Sequence, residues 1–203
     1  MTGQEVVVFD LGKVLLDFDY SIAAQGLARQ SSAPPQQIKT FIDHSPLLVQ
    51  YEKGRITRQA FFEAIREMSG YGGSLEEFLA LFADVFTPIE PMIELHERLR
   101  AGGIPTYIFS NTNDIAISHV RSSYPFYSRF NGYVLSYEHG YMKPEPELYE
   151  AVEKATGRTT ASIWYLDDRP ENVAAGAARG WNAVLHSEPQ VSIKTLRDAG
   201  LLG

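Results

Sequence analysis

The chain has 203 residues, 44% of them hydrophobic, so it can bury the core of one ordinary domain, or of a compact core with one insertion, and is not a disordered chain. Its 18 Lys and Arg face 25 Asp and Glu, a formal net charge of -7 that opposes the sequence-independent attraction of a nucleic-acid backbone and favours a small-molecule partner. The absence of cysteine excludes a disulfide framework, a thiolate metal site and a cysteine nucleophile, and is compatible with a cytoplasmic protein.

The opening MTGQEVVVFD has no basic leader, and its apolar run is far below the roughly 7–15 residues of a signal segment. Neither export nor a membrane anchor is expected. The first predicted strand is 6–9, rich in β-branched residues and followed at once by Asp10. Almost ninety residues then pass without a convincing strand, where a direct crossover needs only about a dozen, which implies an insertion. That insertion reads as helical. Pro34-Pro35 looks like a helix start, and Thr57 caps a stripe of Phe61, Phe62, Ile65 and Met68. Ser74 and Glu77 form a capping box ahead of Leu75, Phe78, Leu79, Phe82, Val85 and Phe86. The prolines from Pro88 to Pro91 mark the return, before a core helix at 92–101.

Further strands are predicted at 104–109, 133–135, 163–166 and 183–185, alternating with helices, one of which runs from about 144 to 156 and ends at Gly157. Such alternation predicts an α/β fold with a parallel sheet covered by helices. Four polar clusters follow the strands: Asp10, Ser110-Asn111, Lys143 and Asp167-Asp168. The carboxyl ends of parallel strands line one crevice, so these residues are expected to converge. Three carboxylates brought together raise one another's pKa unless a cation intervenes, and oxygen-only ligation favours Mg²⁺ completed by a substrate phosphate. Lys143 and Ser110 would address phosphoryl oxygens. Asp10 could then attack phosphorus in line and form an aspartyl-phosphate that water hydrolyses.

Four stretches together resemble the motifs of the haloacid dehalogenase superfamily: VVVFDLGKVLLDFD (6–19), YIFSNTN (107–113), GYMKPEPELYEAV (140–152) and SIWYLDDRPENVAAGAARG (162–180). The match is most similar to bacterial sugar-phosphate phosphatases of the α-glucose-1-phosphate phosphatase type, with features shared with the phosphatase domain of soluble epoxide hydrolase. The resemblance implies a Rossmann-like core, 1–16 with 91–203, and a helical cap, 17–90. It implies Asp10 as nucleophile and metal ligand, the Gly12 carbonyl, Asp168 and Asp167 as further ligands, and Ser110, Asn111 and Lys143 as holders of the phosphate. The expected activity is magnesium-dependent hydrolysis of a small phosphomonoester, a sugar phosphate for preference. Most family phosphatases carry a general-acid aspartate two residues beyond the nucleophile, and here that position is Gly12.

Two other readings stay open at this level. A haloacid dehalogenase also uses an aspartate nucleophile but needs no metal, and a silent binding protein would keep the pocket without turnover. Asp17 and Asp19 suit hinge or turn duty. The five histidines show no paired ligand spacing and read as surface or packing residues. The stretch 51–55 falls between insert helices and could face a substrate, although exposed charged turns are common.

Overall fold

The computed structural model describes residues 5–202. The first strand, β1 (Val6–Phe9), is buried throughout, as suits the centre of a sheet covered on both faces. After it come β2 (Leu16–Phe18), α1 (Tyr20–Ala28), α2 (Pro35–His44), α3 (Pro46–Glu52), α4 (Arg58–Ser69), α5 (Leu75–Ala83) and β3 (Phe86–Pro88). Helix and strand then alternate: α6 (Glu90–Ala101), β4 (Thr106–Ser110), α7 (Asp114–Ser123), β5 (Gly132–Leu135) and the short α8 (Ser136–His139). The chain continues with α9 (Pro146–Thr156), β6 (Ile163–Asp167), α10 (Pro170–Ala178), β7 (Asn182–Leu185) and α11 (Pro189–Asp198).

The strands β5, β4, β1, β6 and β7, in that spatial order, form one parallel sheet. This is the expected Rossmann-like α/β architecture. Alternation along β1 divides the interior in two. Val7 and Phe9 join Leu95, Leu99, Val120 and Leu196 on one face, while Val6 and Val8 join Leu148, Tyr149, Tyr165 and Trp181 on the other. The second core strand begins at Thr106 rather than at 104. Pro105 has no N–H for the ladder, and its carbonyl instead accepts the Val7 N–H at 3.0 Å.

Helix α6 turns Met92, Leu95 and Leu99 inward at helical spacing, and His96 lies buried on the same stripe. Its ring is stacked on Phe130 with centroids 3.8 Å apart, and Nε2 lies 3.1 Å from Thr106 Oγ1. Burial pushes the imidazole pKa down to about 4, against the opposing pull of Glu97. The folded-state value lies below the unfolded one, so this contribution is intact above about pH 6.5 and is lost as pH falls toward 4. The full loss amounts to about 3 kcal/mol. Denaturant unfolding between pH 7 and 4 should show that decline, and His96→Leu should flatten it whatever it does to absolute stability.

Helices α1 to α5 form a separate layer around their own apolar cluster, which includes Phe61, Phe62, Tyr71, Phe78 and Phe82. Their starts follow the caps. The Asp19 carboxylate accepts the Ser21 N–H, Thr57 accepts the Ala60 N–H, and Ser74 with Glu77 closes a full capping box. The expectation of no strand in this long connection is corrected by β2 and β3, which pair antiparallel with Leu16 opposite Pro88, Asp17 opposite Thr87 and Phe18 opposite Phe86. Three residues are too few to show a period of two, and Pro88 argues against a strand unless it sits at an edge. No helix among the described residues is long and apolar enough to cross a membrane.

Candidate active site

Because the sheet is parallel, the residues ending β1, β4 and β6 emerge along one edge. Asp10 follows β1, Ser110 closes β4 and Asp167 closes β6, while Lys143 arrives from the loop after α8. Asp10, Asp167 and Asp168 each bring a carboxylate oxygen to within 4.8 Å of the others.

Lys143 is the electrostatic hub, with a side chain that is 1% exposed. Its ammonium donates to Phe109 O at 2.9 Å and to Asp167 Oδ2 at 2.6 Å, and lies 3.0 Å from Asp10 Oδ1. Burial works against this charge, but the Asp10 and Asp167 carboxylates outweigh it and hold the lysine pKa above its ordinary value. Asp167 resists burial through its donors and keeps its pKa low. Oδ2 accepts from Lys143 and the Tyr165 hydroxyl, and Oδ1 from the Arg169 N–H at 2.9 Å and Asn172 Nδ2 at 3.0 Å. Asp10 stands otherwise. Burial, with the charges of Asp167 and Asp168, pushes its pKa up to about 7 although Lys143 pulls it down. Its Oδ1 also accepts the Leu11 N–H at 2.7 Å, whereas Oδ2 makes no hydrogen bond among the described residues. An open carboxylate oxygen with its partner oxygen held on two donors is oriented to act as a nucleophile.

Asn111 clamps the lysine loop. Its Nδ2 donates to Lys143 O at 3.0 Å and its Oδ1 accepts the Lys143 N–H at 2.7 Å, so both ends of the carboxamide are engaged by the backbone of one residue. Ser110 is buried and lines the same pocket, its hydroxyl directed at Asn111 O at 3.3 Å. Gly12 also lines the pocket. A Cβ there would meet Phe18 Cε1 at 2.8 Å, so an aspartate at this position would have to displace the β2 ring. Lys13 turns away from the acidic cluster to pair with Asp17 and to donate to Phe18 O at 2.9 Å.

The pocket has a volume of 510 Å³, within the range that takes up small ligands. The core supplies its floor, and Phe18, Tyr20, Leu48 and Glu52 bring β2 and the helical layer to its wall. Burial first, then the charge of Asp10, pushes the Glu52 pKa up to about 7. The supports Tyr165 and Asn172 escape sequence reasoning, although both had a signal. Tyr165 lies two residues before Asp167 on the same strand face, and Asn172 lies in the first turn of the helix that Asp167 precedes.

Three carboxylates against one lysine leave an excess of negative charge, and the donor set is oxygen only. A hard dication fits this arrangement. All three carboxylates offer an oxygen to such an ion, and those of Asp167 already accept four donors from the protein.

A parallel sheet with acidic strand ends converging on a buried lysine marks the chain as a hydrolase on a Rossmann-like core. It belongs to the haloacid dehalogenase-like hydrolases, whose family model matches residues 4–180. The sequence is 26% identical over 182 residues to the sesquiterpene phosphatase astK of Aspergillus oryzae, spanning 88% of each chain. It is 24% identical over 188 residues to D-ribitol-5-phosphate phosphatase of Bacteroides thetaiotaomicron, spanning 86% of this chain and 88% of that one. Among solved structures, a haloacid dehalogenase family enzyme of Bacteroides thetaiotaomicron in complex with magnesium and inorganic phosphate superposes with a TM-score of 0.78 at 27% identity, covering 90% of this chain and 94% of that one. L-2-haloacid dehalogenase of Xanthobacter autotrophicus shares the fold, with a TM-score of 0.61 at 19% identity over 88% and 75% of the two chains.

Proposed function

We propose that the chain is a magnesium-dependent phosphatase that hydrolyses a small phosphomonoester through an aspartyl-phosphate on Asp10. The observation that carries this reading is the open Oδ2 of Asp10 beside a lysine fixed between two carboxylates. Two relatives named as phosphatases, and a neighbour solved with magnesium and phosphate, support it. Asp10, the Gly12 carbonyl and Asp168 would hold the ion, with Asp167 behind them acting chiefly through Lys143. When bound, magnesium supplies positive charge that neutralises phosphoryl oxygens. Asp10 is the nucleophile, Lys143 places a fixed charge where the phosphoryl group must lie, Ser110 offers a hydroxyl to it, and Asn111 keeps Lys143 in register.

In this reading 1–16 with 91–203 form the core and 17–90 a cap, and the antiparallel β2–β3 ribbon supports a hinge between them. A pocket with apolar walls at Phe18, Leu48 and Phe86 and polar groups at Asp43, Glu52 and Arg169 suits a small polyol or sugar phosphate. The sequence similarity of the chain to D-ribitol-5-phosphate phosphatase supports that choice. A panel of sugar, polyol and terpenyl phosphates should release phosphate with added Mg²⁺ and lose that release with a chelator. Halide release from a haloacid without metal, or tight binding with no phosphate release, would overturn the reading.

A further inference from the structure

An alkoxide leaving group needs a proton as its bond to phosphorus breaks, and Gly12 brings no side chain to the pocket. Apart from Asp10, Ser110, Lys143 and Asp168, which the reading above assigns to the nucleophile, the phosphate and the ion, the pocket's proton carriers are few: Lys13 is tied to Asp17, Asp43 to Lys39 and Arg169 to Glu171, and burial holds the Tyr20 hydroxyl well above its ordinary pKa. Glu52 differs from all of them. Among the described residues its carboxylate makes no hydrogen bond or ion pair, yet it lines the cavity that contains Asp10.

Its neighbours explain how it is held there. Tyr51 stacks on Phe61 with centroids 4.5 Å apart and donates its hydroxyl to Asp114 of α7. Lys53 pairs with Glu145 at 2.7 Å, and Glu145 in turn accepts the Met142 N–H at 2.8 Å, next to Lys143. Gly54, with φ of 63°, is pressed so closely on the α8 backbone that a Cβ would lie 2.2 Å from Tyr137 O. The residues on both sides of Glu52 are thus fastened to the core while Glu52 alone faces the pocket. It also ends α3, where the helix dipole opposes a negative charge.

We infer that Glu52 is the catalytic acid and base of the phosphatase reaction proposed above, delivered to the nucleophile from the helical layer. The inference rests on that reading. As Asp10 attacks phosphorus, the P–O bond to the leaving group breaks with its electron pair on the departing oxygen, which takes the Glu52 proton and leaves as an alcohol. Glu52, now a carboxylate, then takes a proton from the water that attacks the aspartyl-phosphate. The P–O bond to Asp10 breaks, the Asp10 carboxylate is regenerated, and inorganic phosphate departs. The charged groups acting on Glu52 are Asp10, Arg169 and Lys143.

The test compares alkyl phosphates with p-nitrophenyl phosphate, whose phenolate leaves without a proton, in the full-length protein with Mg²⁺. Glu52→Gln should lower kcat/KM for alkyl phosphates about 10²–10⁴-fold, and that for the aryl ester by less than about tenfold. The same variant should release a burst of nitrophenolate equal to the enzyme present and accumulate phosphate on Asp10, and Glu52→Asp should restore part of the alkyl activity. Equal loss on both esters with no burst, or no loss on either, would overturn the inference. In the wild type, kcat/KM should depend weakly on leaving-group basicity, and a steep dependence counts against Glu52 even if the variant does not fold. A wild type that hydrolyses none of these esters defeats the phosphatase reading itself and this inference with it.

Discussion

Asp10→Asn should lower phosphate release by on the order of 10⁴ to 10⁶, the scale expected when a covalent nucleophile is removed. The substitution keeps the shape of the side chain and a carbonyl oxygen for Lys143 and the Leu11 N–H, so positioning survives and only nucleophilic charge is lost. The fold should tolerate it well. Burial beside two other carboxylates already disfavours the charged form of Asp10 without metal, so the unfolding midpoint in chelator should hold or rise. Steady-state phosphate release and thermal unfolding, measured on one preparation, check both halves. A variant that keeps more than a tenth of wild-type activity would remove Asp10 from the chemistry.

Lys143→Met should show the reverse balance, damaging fold and activity together. The lysine is the sole cation within reach of the buried Asp167 carboxylate among its described partners, and also neighbours Asp10. Taking one member from a buried ion pair leaves the other charged and unpaired, at a cost of about 3–5 kcal/mol. Phosphate release should fall on the order of 10²–10³ through loss of a fixed positive charge beside the reacting group. Adding Asp167→Asn to this variant should recover part of the stability and none of the turnover, because the unpaired carboxylate is gone but the cation is not replaced. Denaturant unfolding of the two single variants and the double variant measures the coupling. Additive losses would mean that the pair is not a unit.

The convergence of Asp10, Ser110, Lys143 and the Asp167-Asp168 pair was legible because it needs only two local signals, an apolar run and the polar residue that ends it. The parallel sheet supplies the rest. The ribbon was not legible, since Leu16–Phe18 and Phe86–Pro88 have meaning only when paired across the long insertion. Asn111 reads in sequence as a phosphate holder, and its engagement with the Lys143 backbone depends on a loop 32 residues away. Glu52 carries only a weak sign: its stretch, 51–55, reads as one that could face a substrate, but nothing local separates this glutamate from a solvated one until Tyr51 and Lys53 are seen fastened to the core. His96 had a signal in its spacing with Met92, Leu95 and Leu99, but a histidine on an apolar stripe does not reveal the ring it stacks on.

The ribbon has a consequence for descent. Leu16 lies opposite Pro88 and Phe18 opposite Phe86, so the polypeptide leaves the sheet and comes back side by side. A segment whose ends already meet can be lengthened, shortened or exchanged at little cost in closure entropy. Natural variation can therefore rewrite which molecules are admitted while the machinery at the strand ends stays as it is, and the two properties can be inherited on separate schedules.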